Sequence, residues 1–164
     1  MPNLYLDPVL EKYKALIKAN TSAFKYFYQG DPKAIPTSSM PAIILEREET
    51  RAGAITNVDD QHDMGIRLTV VVDVRRDLHE SSDGVVPGYA TLYDLVEGRD
   101  SSLALKSTAL LDILRTNIVI DSVYNLVTDI GSQTRVTYTE NQRAENVWTV
   151  EAVVSFTCSA IQLR

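Results

Sequence analysis

The stretch NVWTVEAVVSFTCSA, residues 146–160, carries the clearest structural pattern in the sequence. From Trp148 to Ala160 every second residue is apolar, whereas the positions between them include Thr149, Glu151 and Ser155. Alternation with a period of two is typical of a strand that has one face in the core and a wetter opposite face. The stretch therefore predicts a strand longer than most, in a sheet that is covered mainly on one side.

Two segments have the 3.6-residue apolar period of an amphipathic helix. Residues 8–19 follow Asp7, a favourable capping residue, and carry one apolar stripe with lysines opposite. Residues 102–116 follow Asp100 and Ser101 and carry two separate apolar strips. We predict a helix at each place. The second strip of the later helix is covered either by neighbouring elements of the same chain or by another subunit.

Strand-like segments, rich in β-branched and aromatic residues and bounded by turn residues, occur at 24–29, 41–48, 66–77, 118–129 and 134–140. In IRLTVVVDVRRD, residues 66–77, three consecutive valines indicate burial on both faces and a central place in the sheet. The polar segment 49–65 between two of these strands predicts a loop or a hairpin arm.

The predicted order is helix, three strands, helix and three strands. Such an order favours the α+β class, with a mainly antiparallel sheet packed by an N-terminal helix and a central helix. Because no linker, repeat or low-complexity tract interrupts the chain, we predict a single domain over residues 1–164.

Composition narrows the class of protein. The chain has 164 residues, 45% of them apolar, which is enough for one core without staples. A single cysteine excludes an internal disulfide, and we see neither an apolar membrane span nor a signal peptide, so we expect a soluble protein made in the cytoplasm.

Charge is distributed unevenly along the chain. The net charge of −6 argues against sequence-independent wrapping of nucleic acid. Five of the six lysines lie within the first 33 residues, whereas residues 34–164 carry 11 basic against 19 acidic side chains. The basic end and the acidic body either face solvent or meet two different partners.

The densest cluster of titratable residues is NVDDQHDMG, with Asp59, Asp60, His62 and Asp63. Carboxylates and an imidazole at this density can bind a hard divalent ion, but the spacing matches no EF-hand loop, and a solvated acidic loop is the favoured interpretation. Cys158 lies on the apolar face of the last strand and is expected to be an inert, buried thiol.

For the other kinds of site that we considered, the sequence lacks residues that the chemistry requires. Glu46 and Glu48 with Asp73 resemble a nuclease carboxylate set, but a matching lysine is missing. Aromatic residues at 24–28 lie near lysines and could stack single-stranded bases, although a strand that buries its rings explains them better. No nucleophile elbow or phosphate loop is present. We assign no catalytic, cofactor-binding or metal-binding residue.

Several phrases follow one another in an order that resembles a known family: YQGDP (28–32), MPAIILERE (40–48), IRLTVVVDVRRD (66–77) and SSLALKSTALLDILRTN (101–117). Together with the amphipathic helix before them, they are similar in layout to the lambda-type tail terminator proteins of long-tailed bacteriophages. The resemblance covers most of the chain, and it rests on layout and short phrases.

The resemblance implies an α+β subunit that forms a homo-oligomeric ring, with six members expected. Such a ring caps the tail tube, stops its polymerisation and docks to the head-side connector or stopper protein. DNA passes through the hole without sequence-specific contacts, for which an acidic lumen is suitable. The protein would reside in the virion tail or neck after assembly in the host cytoplasm, without catalytic residues or cofactors.

Three other classes stay open. The first is another phage neck, head-completion or minor tail protein, the second a small-ligand or metal-dependent enzyme domain, and the third a nucleic-acid-binding module.

The strand PAIILEREE, residues 41–49, ends in a block of charges that suggests a contact surface. We predict that the block begins an arm through residues 49–65, which meets a neighbouring subunit or the tube; equally, the charges could serve only to prevent edge-to-edge aggregation. Contacts in a ring join different patches, so the acids of one copy can meet arginines of the next. The predicted interaction residues are Glu46, Arg47, Glu48, Glu49, Arg51, Asp59 and Asp60, with Arg75, Arg76, Arg99 and Arg115 as candidate partners.

Overall fold

A computed structural model of the protein describes residues 5–74, 87–123, 125–129 and 134–163. Over these residues the elements in chain order are α1 (Pro8–Asn20), β1 (Tyr26–Gln29), β2 (Ala42–Ala54), β3 (Asp59–Asp73), α2 (Pro87–Glu97), α3 (Leu110–Thr116), β4 (Val119–Asp121), β5 (Leu126–Asp129), β6 (Arg135–Ala144) and β7 (Val147–Leu163). A short 3-10 turn, Thr37–Ser39, precedes β2.

The seven strands of the described residues form one sheet in the order β1-β2-β3-β7-β5-β4, and β6 also pairs with β7. Only β1 and β2 run parallel; every other pairing among the described residues is antiparallel. The predicted single α+β domain with a mainly antiparallel sheet is therefore confirmed. Between β3 and β4 the structure has two helices: α2 lies in the segment YATLYDLVEG (89–98), whose sequence also suggests a short helix, and α3 lies in the second half of the predicted central helix.

The predicted long strand is β7, the longest strand in the described part of the sheet. One edge pairs with β3 from Asp59↔Leu163 to Asp73↔Thr149. The other edge pairs first with β6 and then, beyond residue 156, with β5. Its alternation is confirmed, because one face buries Val150, Ala152, Val154, Phe156 and Cys158. Trp148 departs from the pattern, since it is 48% exposed.

The helices α1, α2 and α3 all contribute side chains to the core on the face of the sheet that buries Val150, Val154 and Phe156. In α1, Leu10, Tyr13 and Ile17 are buried, and the Tyr13 ring meets Phe156 edge-on at 5.3 Å between centroids. The predicted cap is confirmed, since the Asp7 side chain accepts hydrogen bonds from the backbone N–H groups of Val9 and Leu10. Apolar burial against the sheet, rather than helix propensity, stabilises α1.

The opposite face of the sheet has a smaller core. The segment between β1 and β2 crosses it and buries Ile35 and Met40 against Ile44 and Val71. Burial on this face also includes Thr149 and Glu151 of β7, whereas further along the strands the face carries half-buried polar side chains, such as Arg67, Ser155 and Thr157.

The predicted helix over residues 102–116 is wrong in its first half, because α3 begins only at Leu110. The Asp100 carboxylate instead accepts hydrogen bonds from the backbone N–H groups of Ser102 and Ala104, and it holds a turn in which Leu103 has a φ of 67°. Local side-chain to backbone hydrogen bonds of aspartate compete with helix formation in this way.

Of the two predictions for residues 49–65, a loop or a hairpin arm, the hairpin arm is confirmed, since most of the segment is strand. β2 continues to Ala54 and β3 begins at Asp59, so the two strands form one long hairpin. Arg75 and Arg76, two predicted contact residues, lie outside the described residues. None of the helices that the structure describes has the length and apolar character needed to cross a membrane.

Candidate interaction surface

The outer part of the β2–β3 hairpin, residues 46–65, projects from the covered part of the sheet; we call it the arm. Residues 47–58 are all exposed. The arm is held in register by pairs from Glu46↔Arg67 to Ala54↔Asp60, and β7 pairs along its β3 side. Because β2 and β3 are continuous through the arm and β7 is hydrogen-bonded along the edge of β3, the arm is an extension of the sheet rather than a loop.

An irregularity between Arg47 and Glu49 places one extra residue in β2 opposite β3. Such a bulge bends a strand and re-aims its side chains. Gly65 lies opposite Glu49, and a Cβ atom there would come 3.3 Å from the Glu49 Cγ atom. The absence of a side chain at Gly65 lets Glu49 lie across the neighbouring strand.

The acids at the end of the predicted strand find a partner in their own chain. Arg67 contacts Glu46 through Nε and Nη2, at 3.1 and 3.0 Å from Oε2, and contacts Glu48 Oε1 through Nη1 at 3.0 Å. The Arg67 side chain is 39% exposed, so solvent screens these pairs and each contributes little to folding stability. Their main effect is to hold the two carboxylates at the base of the arm.

The cation of the same charged block connects the arm to the first helix. Arg47 Nη2 lies 3.0 Å from the Asp7 carboxylate, the group that caps α1, and Arg47 Nη1 lies 3.9 Å from the Met64 sulfur. Further out, Arg51 and Glu49 form a looser pair at 3.4 Å, with both side chains more than half exposed. The charged block is therefore anchored at its inner end and open to solvent at its outer end.

The acidic cluster that suggested a metal site lies along β3, where it is divided between two faces. Because side chains alternate along a strand, Asp59 and Asp63 share one face with Gln61, whereas Asp60 and His62 share the other. Gln61 donates a hydrogen bond of 2.8 Å to Asp63, which is consistent with this division. Among the residues that the structure describes, no three His, Cys, Asp or Glu side chains are grouped to hold a metal ion.

The tip of the arm combines a firm turn with exposed apolar side chains. The Thr56 hydroxyl accepts hydrogen bonds from the backbone N–H groups of Val58 and Asp59, and it donates one to the Asp59 carboxylate at 3.2 Å. Ile55 is 51% exposed and Val58 is 59% exposed. Burying such side chains on a partner is favourable, by about 25 cal/mol per Å² of apolar area.

Two other predicted residues, Arg99 and Arg115, lie together on a different part of the fold. Both line a cleft of about 1130 Å³ between α3, β5 and β6, and both also line a smaller cleft beside α3. Among the described residues, the lining of the large cleft includes none from the arm. On its wall, the Tyr138 hydroxyl donates to Glu97 at 2.5 Å; burial and this hydrogen bond raise the pKa of Tyr138.

A buried ion network that the sequence analysis did not single out connects β6, β7 and the turn after β1. Arg143 binds Glu151 through two hydrogen bonds of 2.6 and 2.8 Å, and its Nη1 atom also pairs with Asp31. Thr149 donates to Glu151 at 2.8 Å. Arg143 and Glu151 are 6% and 3% exposed, so this network is part of the core.

The network shifts the ionisation of its members. Hydrogen bonds from Arg143 to Glu151 outweigh burial and raise the pKa of Arg143. Burial alone would raise the pKa of Asp31, but the Lys33 backbone N–H and the Arg143 guanidinium lower that pKa below its usual value. Cys158 takes no part; burial raises its thiol pKa to about 11, which makes the thiol a poor nucleophile.

The structure thus brings most predicted contact residues into two groups. Glu46, Arg47, Glu48, Glu49, Arg51, Asp59 and Asp60 all belong to the arm, and Arg99 and Arg115 share one cleft. Arg67, which organises the base of the arm, was missed. Its signal is the pairing of ILERE with IRLT in adjacent strands, which becomes informative only once the register is known. No protein-family model matches the chain, and no curated protein matches it either.

Proposed function

We propose that this protein is a structural subunit of a ring in a phage neck or tail, with tail terminator as the leading identity. The observation that carries the proposal is the arm: an ordered extension of the sheet whose tip exposes apolar side chains and whose base presents fixed charges. Together with the family-like order of sequence phrases, the arm favours assembly over catalysis. The ring would cap the tail tube and join it to the head-side connector, in the virion.

A projecting arm suits a ring because contacts in a ring are heterologous. One patch of each copy meets a different patch of the next copy, and the series closes after a fixed rotation. A stiff arm loses little conformational freedom on docking, which favours binding over a loop that must be ordered first. The exposed Ile55 and Val58 side chains supply apolar area for such a contact.

Charge on the arm also suits a channel through which DNA passes. The arm has six acidic side chains and two arginines, and the whole chain has a net charge of −6. An acidic surface repels the phosphate backbone, so DNA would move past it without being held. This supports a role in which DNA is a passing partner rather than a ligand.

The test is native mass spectrometry of the purified protein over a range of concentrations, paired with negative-stain imaging. We expect a closed ring, with six copies as the expected number. A protein that stays monomeric up to its highest attainable concentration would contradict the proposal. Elemental analysis for a bound metal would then be the next step toward an enzyme or ligand-binding role.

A second experiment separates a tail terminator from other ring proteins of the neck. Purified tail tube protein from the same phage would be polymerised with and without this protein, and tube lengths measured by electron microscopy. A terminator binds the tube end and stops its growth. Tubes of unchanged length, beside an intact ring, would favour a head-completion or other joining role.

A further inference from the structure

We propose that the free edge of β2 in the arm of one copy pairs with the free edge of β6 in the next copy, so that one antiparallel sheet continues around the ring. The inference rests on the proposed ring function, and it names the two edges that meet. It commits to a second copy of this chain as the partner of each edge. The position, direction and hydrogen-bonding phase of the two edges support it.

The two free edges lie on opposite sides of the same sheet. β1 covers β2 only from Ala42 to Leu45, and no other strand of the described residues pairs with the remaining edge, residues 46–54. β6 pairs with β7 along one edge, whereas its other edge, residues 135–144, has no partner strand in the described part of the chain. Free edges are templates for pairing with another chain. Because β3 and β7 lie between them, the two edges of one copy cannot meet each other.

The backbone groups of the two edges point outward at a matching set of positions. In antiparallel pairing, successive residues turn their N–H and C=O groups toward opposite neighbours. The Val74 N–H donates to the Trp148 carbonyl at 3.2 Å, which sets this alternation for β3 and β7. Carried through the registers on either side, the alternation turns three residues of each free edge outward: Thr50, Ala52 and Ala54 in β2, and Val136, Tyr138 and Glu140 in β6.

The side chains at these outward-facing positions lie on one face of the sheet, the face that the helices cover. Thr50 pairs with Met64 and Tyr138 pairs with Ala152, and both partners belong to the core beneath the helices. From one free edge to the other the sheet has four strands of alternating direction, β2, β3, β7 and β6. In a ring whose copies all point the same way, β6 therefore runs antiparallel to β2 of the next copy. Joining these edges continues the antiparallel pattern and keeps every helix on the same face.

One register uses all of the outward-facing residues. It pairs Thr50 with Glu140, Ala52 with Tyr138 and Ala54 with Val136. Opposed outward-facing residues exchange two hydrogen bonds each, so the contact gains about six backbone hydrogen bonds. On the other face of the sheet, Arg51 comes opposite Thr139. Glu49 comes opposite Asn141, so no two like charges face each other.

The register also fits the part of β2 that β1 leaves free. Gln29, the last residue of β1, pairs with Leu45. In the proposed register Ala144, the last residue of β6, reaches the level of Glu46 in the neighbouring copy. The docked β6 would therefore follow β1 along the edge of β2 without overlapping it.

The two edges are staggered along the strand direction. Within one copy, Tyr138 is level with Ile43, through Ala152 and Val70 of the two strands between them. In the proposed contact it meets Ala52 of the neighbour, which lies further out along β2. Closing a staggered sheet into a ring requires the strands to tilt relative to the ring axis, as the strands of closed barrels do.

Proline substitutions test the backbone pairing directly, because proline has no N–H to donate. The two variants are Ala52→Pro in β2 and Glu140→Pro in β6, each at a position whose N–H points away from the strands of its own copy. The matched controls, Ala52→Ser and Glu140→Ala, keep the N–H. Each proline variant should self-associate more weakly than its control, by roughly tenfold or more in dissociation constant. Sedimentation analysis and native mass spectrometry measure the difference.

The outcomes distinguish the two proposals. If the wild type forms rings and each proline variant assembles as well as its control, the edge-pairing inference is wrong while the ring function stands. If the wild type never assembles, both are wrong. Thermal melting checks that each variant is folded. Thr139→Pro should lower the melting temperature, because its N–H faces β7; an unchanged value would contradict the assigned phase.

A cysteine pair tests the register without disrupting the contact. Arg51→Cys in one copy and Thr139→Cys in the next would face each other with Cα atoms roughly 4.5 Å apart, within reach of a disulfide. A chain with both substitutions should form, on mild oxidation, a ladder of covalent oligomers up to the size of the ring. Cys158 is buried and does not compete. Absence of the ladder from assembled rings would overturn the inference.

The single cysteine variants separate pairing of unlike edges from pairing of like edges. An equimolar mixture of the two, one of them carrying a larger tag, should give the covalent heterodimer as the main product. Homodimers formed by either variant as readily as the heterodimer would show that like edges pair. That result would also overturn the inference, since pairing of like edges closes a dimer instead of a ring.

Discussion

Two arginines of this sheet each bind two carboxylates, yet they belong to different kinds of structure. Arg143 is almost fully buried, and it connects β6 to β7 and to the turn that carries Asp31. Arg67 is partly exposed at the base of the arm, where it binds Glu46 and Glu48. The first cluster is buried between β6, β7 and the turn after β1, whereas the second is partly exposed to solvent.

The difference shows which ion pairs of this protein stabilise the fold and which charged side chains are accessible to a partner. Ions in a buried network have lost their water, so each depends on its partner and removing one is costly. Ions at the arm keep much of their hydration, so their pairs are worth little in folding but remain available to a partner. Substitutions at the two places should separate these roles.

Replacing Arg143 with alanine should have the largest effect. Glu151 would stay buried, and among the described residues Thr149 would be its remaining side-chain hydrogen-bond partner, so we expect a loss of about 3 to 5 kcal/mol in the free energy of unfolding. The matched control is Arg67→Ala, for which each exposed pair accounts for about 1 kcal/mol at most. Urea denaturation followed by circular dichroism measures both. Equal losses for the two variants would contradict the distinction.

Truncation of an apolar side chain sharpens the same comparison. Leu68 in β3 is fully buried, so Leu68→Ala should lower the free energy of unfolding by about 2 to 5 kcal/mol. Ile55→Ala at the tip of the arm should change it by about 0.5 kcal/mol or less. A large loss from Ile55→Ala in the monomer would show that the arm tip supports the fold. In analytical ultracentrifugation of the same samples, Ile55→Ala should weaken assembly more than Leu68→Ala does.

Combined replacement of Glu46, Glu48 and Glu49 with alanine tests the charged block itself. The change removes both carboxylates that bind Arg67, yet the fold should survive with a loss of about 1 kcal/mol per pair. Assembly should weaken, because the base of the arm loses its fixed charges. The readout is the ring population in native mass spectrometry. Unchanged assembly would leave the charges with the role of preventing aggregation alone.

The smallest expected effect is that of Asp31 on the free energy of unfolding at acidic pH. Because the pKa of Asp31 is lower in the folded protein, its contribution to stability is complete above the usual value of 3.8. It is lost as the pH falls through the lower folded value, since the unfolded chain takes up the proton first. Asp31→Asn should therefore flatten the stability profile below about pH 4. An unchanged acid limb in that variant would show that other carboxylates determine it.

Local patterns were sufficient to predict α1 and β7. The capping of α1 by Asp7 and the alternation in β7 both depend on residues close in sequence, so they can be recognised before any tertiary contact is known. The same reasoning failed at residues 102–109. There the apolar spacing suited a helix, but the Asp100 carboxylate captured backbone N–H groups, and the Lys106 backbone N–H donates to the Gly98 carbonyl.

The contact residues show the opposite limit of sequence reasoning. The charged block was recognisable from its composition, but its partner Arg67 depends on the β2–β3 register. Arg143 lies where the β6–β7 register shifts, between Gln142 and Ala144, so counting along the strands does not place it near Glu151. Arg99 and Arg115 share a cleft because α3 packs on the sheet. This tertiary packing cannot be recognised from a local sequence pattern.

The place of β7 in the sheet has a consequence for the newly made chain. Its partner β3 is synthesised much earlier: Asp73 pairs with Thr149, 76 residues later in the chain. At typical elongation rates the ribosome needs roughly 4 to 15 seconds to make that interval. During this time one long edge of β3 is open beside a run of apolar side chains, a state prone to aggregation. Yield in the cell should therefore depend on how quickly translation completes β7, and on chaperones that shield β3 until then.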